Sequence, residues 1–264
     1  MAQIDPHDIA DSAVLSRIAE GRFDDPFAVL GPHPRGGTRH VTAFDPGAQE
    51  MAAMAGRKAH PLDPVEGYPG LFHGMVPGAE PYLLRGRRDG EEWLVEDAYR
   101  FGPVLGELDE YLLGEGRHHG LWQALGAHVI EHQGTAGTHF AVWAPNARRV
   151  SLIGDFNAWD GRRHVMRRRG ATGVWEIFMP GLGEGTAYKY EILGAYGGLA
   201  QKADPVGFGA QHPPATASVV RDIAGYGWSD HGWMGTRAEA QRIDRPISIY
   251  EVHLGSWRRK VMSK

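Results

Sequence analysis

The stretch Gly154-Asp-Phe-Asn-Ala-Trp-Asp-Gly-Arg-Arg-His164 holds the residues best suited to bind a ligand. Asn157, Asp160 and Gly161 are turn formers, and Trp159 lies among them. A tryptophan on a turn has two uses. It folds back to cap a core, or it offers its flat face to solvent and stacks on the C–H face of a pyranose ring while polar neighbours hold hydroxyls. Other constellations carry less chemistry. His128-Val-Ile-Glu131-His132 has the H-x-x-E-H spacing of a zinc helix. Gly126 before it and Gly134, Thr135 and Gly137 after it leave too little chain for such a helix, so these read as polar residues leading into a strand. The acidic stretch Glu107, Asp109, Glu110 and Glu115 reads as a solvated face. There is no Walker loop, no G-x-G-x-x-G, no G-x-S-x-G and no cysteine. No metal site and no cofactor is expected.

The elements that must position Trp159 are short strands. With 37 glycines and 17 prolines in 264 residues, turns are frequent and the chain reads as mostly β. Asp11 to Arg22 reads as a short amphipathic helix, capped by Asp11 or Ser12, with Val14, Leu15 and Ile18 on one face. After it, one pattern occurs twice. Phe44 and Pro46 correspond to Trp143 and Pro145, Gly70 and Pro77 to Gly173 and Pro180, and Asp97 to Asp204. The period is too long for a solenoid, so a duplicated strand-rich module is expected. In the second copy Tyr188, Tyr190 and Ile192 alternate with Lys189 and Glu191, and Trp175, Ile177 and Met179 with Glu176 and Phe178. This reads as immunoglobulin-like β-sandwiches. Leu105 to Ala127 reads as a helical connector, with a second one from Trp228 to Arg245. The second copy is the longer between its matched prolines, and extra length in a loop carrying Trp159 favours an added binding surface.

A net charge of −4 gives no electrostatic footprint for nucleic acid or an anionic membrane. No apolar run is long enough to span a bilayer, and the N-terminus lacks the basic and apolar regions of a signal peptide. The cytoplasm is the expected compartment.

In order, "DPFAVLGPH", "DAYRFGP", "YLLGEG", "FAVWAPNARRVSLIGDFNAWDGRRHVM", "GVWEIFMPG", "YKYEI", "PPATASVV" and "ISIYEVHLGSWRR" resemble the N-terminal part of bacterial 1,4-α-glucan (glycogen) branching enzymes. The resemblance implies two tandem sandwiches with short helical connectors, plus the first strand of a (β/α)8 barrel that the chain does not contain. On that map 1–104 is the N-terminal sandwich, 105–127 a connector and 128–227 a glycogen-binding sandwich of the carbohydrate-binding module 48 type. Residues 228–264 are then a linker and the barrel strand Ile247 to Leu254, whose packing partner would be the missing barrel. The implied partner is α-1,4-glucan or glycogen, contacted by Trp159, Lys189, Asn157 and Asp160. The second stacking tryptophan of such modules falls near Leu199, which implies weak affinity. No position matches the family's catalytic carboxylates, so the chain is expected to bind glucan without branching it. The alternatives are a stand-alone glycogen-binding or regulatory module, a structural interaction domain, and a piece of a debranching or trehalose-forming relative.

Overall fold

The structure is a computed structural model and describes residues 6–35 and 37–257. It opens with α1 (Ser12–Ala19), whose first turn is capped by Asp11 Oδ1 accepting the Ala13 N–H at 2.8 Å. Leu15 and Ile18 fall on its buried face and pack with Val29, Leu71 and Tyr99.

The first sandwich follows. Its strands are β1 (Gly31–Arg35), β2 (Thr38–Phe44), β3 (Glu50–Ala55), β4 (Lys58–Pro64), β5 (Leu71–Met75), β6 (Tyr82–Arg88) and β7 (Glu91–Glu96). They form one antiparallel sheet in the order β1-β2-β5-β4-β3-β6-β7. The sheet doubles over along β4, whose residues Lys58 to Leu62 pair with β3 while Asp63 and Pro64 pair with β5. Val41, Ala43 and Phe72 of one half thereby meet Met51, Ala53 and Leu84 of the other in a single cluster.

The second sandwich comprises β8 (Gly126–His132), β9 (Thr135–Trp143), β10 (Ala147–Gly154), β11 (Arg167–Arg168), β12 (Val174–Pro180), β13 (Ala187–Gly194), β14 (Leu199–Lys202) and β15 (Ser218–Val219). Its sheets are β8-β9-β12-β11 and β10-β13-β14, with β15 also paired to β13. Read through, this is the strand order of the first sandwich. The repeated glycine–proline contacts and aspartates do the same work in both copies, whereas Phe44 is buried and its counterpart Trp143 is 58% exposed. Gly70 and Gly173, at φ +85° and +78°, lie hard against Pro46 and Pro145, where a side chain would collide. The Asp45 amide donates to Gly70 O, and the Ala144 amide to Gly173 O, both at 2.8 Å. Asp97 accepts the Tyr82 hydroxyl at 2.5 Å; Asp204 accepts those of Tyr188 and Tyr190 at 2.7 and 3.1 Å.

One connection differs far more than the others. In the first copy β3 and β4 are joined by the two-residue turn Gly56-Arg57; in the second, residues 155–166 separate β10 from β11. The doubled sheet is opened there, and the single bridge Ser151–Val165 is what persists of the pairing.

Trp175, Ile177, Met179, Tyr188 and Tyr190 form the second core, as their alternation requires. Glu176 and Phe178, on the opposite face of β12, are buried as well. The chain leaving the first sandwich covers them. Phe101 packs edge-on against Phe178, and the Val104 and Leu105 amides donate to Glu176 Oε2. The connector contains α2 (Glu107–Gly114) and α3 (Leu121–Ala124), and Leu105, Ala124 and Leu125 seal Ala141 and Val174. Its acidic residues are not all free in solvent: Asp109 pairs with His118 at 2.9 Å and Glu110 with Arg169.

His128, Glu131 and His132 lie within β8 itself. The two imidazoles are held by the carbonyls of Leu125 and Gly102, and among the described residues no group of three metal-ligating side chains converges. No described helix is long and apolar enough to cross a membrane.

Residues 224–264 form a separate unit. Its described part holds α4 (His231–Ala240) and the short α5 (Leu254–Trp257). The strand expected at Ile247 to Leu254 is not formed, and Ile247, Ile249 and Leu254 are each at least 80% exposed. A strand needs a neighbour for its N–H and C=O groups, and none of the described strands offers one.

Candidate functional site

The opened connection 155–166 builds the site. Asp155–Asn157 forms a 3-10 turn, after which Ala158 and Trp159 both take left-handed conformations, φ 55° and 58°. Such strain in two successive non-glycine residues persists where surrounding contacts enforce it. Asn157 provides them. Its Oδ1 accepts the Gly154 amide at 3.0 Å, and its Nδ2 donates to Leu152 O and to His164 Nδ1, both at 2.9 Å. It is buried, with its polar atoms consumed inside the loop.

Gly161 lays the loop over the outer face of β10 and β13. A Cβ there would stand 1.9 Å from Glu191 Oε1. Arg149, buried beside it, donates to Gly161 O and pairs with Glu191 at 3.0 Å. This explains why Glu191, on the outward side of the alternation, is nonetheless buried.

Trp159 is left partly exposed on the finished loop, its indole N–H donating to Asp155 Oδ1 at 2.8 Å. Asp160 is engaged by Arg162 through the backbone amide and the guanidinium. Burial pushes its carboxyl up, but Arg162 more than offsets this and holds it below its ordinary value. Lys189 lies on β13 opposite Ile153, next to the pair Gly154–Tyr188 from which the loop departs. Its Nζ donates to Thr216 Oγ1 at 2.8 Å. The loop that carries Trp159 therefore departs from the end of the sheet where Lys189 lies.

Leu199 stands on the same outward face, paired with Leu193 and 59% exposed. Tyr196, which no motif singles out, is fully exposed at the tip of the β13–β14 hairpin. Its signal was an aromatic residue set among the turn glycines of Gly194-Ala-Tyr-Gly-Gly198.

His164 makes the loop sensitive to acid. Burial, helped by the Arg163 charge, lowers its pKa from 6.5 to about 4. Because Asn157 Nδ2 can only donate, His164 Nδ1 accepts and the ring is neutral. The unfolded chain takes up this proton near pH 6.5, the folded chain only near 4, so stability present above pH 6.5 is lost as pH falls towards 4. Thermal melts across that window are expected to decline less steeply for His164→Gln than for the unsubstituted chain. Equal slopes would remove His164 from the account.

The second copy of the duplicated sandwich is thus set apart from the first by the loop that carries Trp159. Residues 124–207 match carbohydrate-binding module 48 (isoamylase N-terminal domain), and residues 11–99 match the alpha-1,4-glucan branching enzyme GlgB N-terminal domain. The chain is 58% identical over 250 residues to the 1,4-alpha-glucan branching enzyme GlgB of Roseobacter denitrificans, covering 92% of this chain and 34% of that protein. To its counterpart in Cereibacter sphaeroides it is 53% identical, covering 96% and 35%, and to that of Rubrobacter xylanophilus 51%, covering 93% and 34%. The chain belongs to the 1,4-alpha-glucan branching enzyme family, as its N-terminal region. It spans about a third of the length of these relatives. Among solved structures, a pullulanase from Anoxybacillus sp. LM18-11 aligns with a TM-score of 0.33 at 18% identity, covering 74% of this chain and 28% of that one, too slight a likeness to argue from.

Proposed function

We propose that this chain is the glucan-binding portion of a 1,4-α-glucan branching enzyme of glycogen synthesis, and that Trp159 is its principal sugar contact. One observation carries the reading: a two-residue turn in the first sandwich is replaced in the second by a loop that carries Trp159 and leaves β10 at Gly154, next to the position of Lys189 on β13. The indole face would take the C–H face of a glucosyl ring, and Lys189 Nζ would donate to hydroxyls, exchanging Thr216 for them. Lys189 and Gly194 are five strand residues apart, about 17 Å, so a chain of several glucosyl units extends from Trp159 towards Tyr196. Asp160 serves as a further hydroxyl acceptor at the rim, and Asn157 shapes the loop from within. The matched relatives, named 1,4-alpha-glucan branching enzymes, support an α-1,4-glucan as the polymer; glycogen and the cytoplasm follow from the family resemblance.

In native gels containing glycogen, the chain is expected to migrate more slowly than in gels without it, and maltoheptaose should reverse the effect. Tyr196→Ala should reduce the retardation in part. Migration indifferent to glycogen would overturn the proposal.

A further inference from the structure

The loop that carries Trp159 touches the first sandwich as well as the second. Tyr99, which follows β7, is the main contact. Its hydroxyl oxygen accepts the Val165 amide at 3.0 Å, and its proton goes to Arg163 O at 3.2 Å. Asp45, at the end of β2, pairs with Arg163 Nη1 at 2.8 Å, with 10% of its side chain and 26% of the arginine's exposed. Asp45 is itself fixed, since the same Oδ1 accepts the Gly47 amide at 2.8 Å. Gly21, after α1, leaves the space that the Arg162 stem fills; a Cβ there would lie 2.7 Å from Arg162 Cγ. Residues 162–165 are thus held by three separate segments of the first sandwich and its helix. The same short stretch includes the backbone that closes the sole bridge to β10 at Val165.

From this geometry we infer that the first sandwich sets the glucan affinity of the second, with Tyr99 and Asp45 as positioning residues for Trp159. The inference rests on the reading of Trp159 as the sugar contact. Its physical basis is the strain already described. Ala158 and Trp159 are held in a conformation that a free loop abandons, and within the second sandwich the return limb of the loop keeps a single backbone bridge. Release of residues 162–165 from Tyr99 and Asp45 lets the loop relax, and ordering it again is then charged against every glucan that binds. The first sandwich needs no sugar contact of its own to act in this way. Its part is to keep the competent loop populated.

The test uses the whole chain with Tyr99→Phe, Asp45→Asn and Asp45→Glu. Tyr99→Phe keeps the ring in its cluster and removes only the hydroxyl; Asp45→Asn keeps the shape and removes the charge. Each is expected to lower affinity for maltoheptaose about three- to tenfold, the scale of one lost hydrogen bond, with Asp45→Glu recovering part of the loss. Amide hydrogen exchange of residues 158–165 should quicken in the two weakened variants, while that of β12 and β13 stays slow. Unchanged exchange in the loop would overturn the inference. So would faster loop exchange with undiminished affinity, provided Trp159→Ala abolishes binding. If the unsubstituted chain binds no glucan, the sugar-contact reading fails and the inferred control of affinity fails with it, whereas the exchange data still decide whether the first sandwich seats the loop.

Discussion

Trp159→Ala is expected to weaken binding of glycogen and of maltoheptaose about thirtyfold or more, with little change in melting temperature. The size follows from how contact surfaces are built. A central aromatic anchor contributes about 2 kcal/mol or more when truncated, which is about thirtyfold in Kd. The neighbouring polar groups have less to add, because Asp160 is held by Arg162 and Asn157 is buried. Stability is spared because Trp159 belongs to none of the buried clusters and its indole N–H meets only Asp155. Alanine also occupies the left-handed position next door, at residue 158, so the backbone accepts the change. Isothermal titration with maltoheptaose beside a thermal melt checks both halves. A large loss of stability would show that Trp159 is a packing residue.

Glu176→Ala is expected to be the most destabilising of the substitutions considered, by about 3–5 kcal/mol, the cost of breaking a buried ion pair from one side. Glu176 Oε2 accepts from the Val104 and Leu105 amides at 3.2 and 3.0 Å and from His139 Nε2 at 2.9 Å. Arg169 Nε lies 3.2 Å from Oε1, in ion-pair rather than hydrogen-bond geometry. Burial pushes this carboxyl up, but His139, the Leu105 amide and Arg169 together hold it below its ordinary value. His139 is kept neutral by burial, against the pull of the carboxylate. Alanine would strand two amides and an imidazole N–H where the connector crosses β12, and would leave Arg169 only Glu110 and the Leu105 carbonyl. A fall in melting temperature on the order of 10 °C should result. Glu176→Gln, which retains the shape and an acceptor, should lose less; equal losses would mean that the charge alone holds the connector.

The duplicated sandwich was legible because its markers are geometric necessities. A glycine that must lie against a proline, and an aspartate that must meet a buried tyrosine, cannot be replaced freely, so Gly70 and Gly173, and Asp97 and Asp204, stand out by residue type alone. Trp159 stands out as a candidate for a related reason: turn formers surround it. What escaped notice depends on long-range contact. Nothing in the alternation of Trp175 to Met179 tells that a segment some seventy residues earlier covers Glu176 and Phe178. Asn157 looks like a polar rim residue until its three partners are seen. The strand expected at Ile247 to Leu254 has the right local character, but hydrogen-bonded neighbours, and not propensity, make a strand.

The seating of the loop on the first sandwich has a consequence for how the molecule is made. A nascent chain folds its N-terminal domain first, and synthesis proceeds at about 5–20 residues per second. Tyr99 precedes its partner Val165 by 66 residues, a lead on the order of several seconds. Sandwiches of this type fold within milliseconds to seconds. The surface formed by Asp45 and Tyr99 is therefore complete before residues 155–166 leave the ribosome, and the strained loop condenses onto a finished mould.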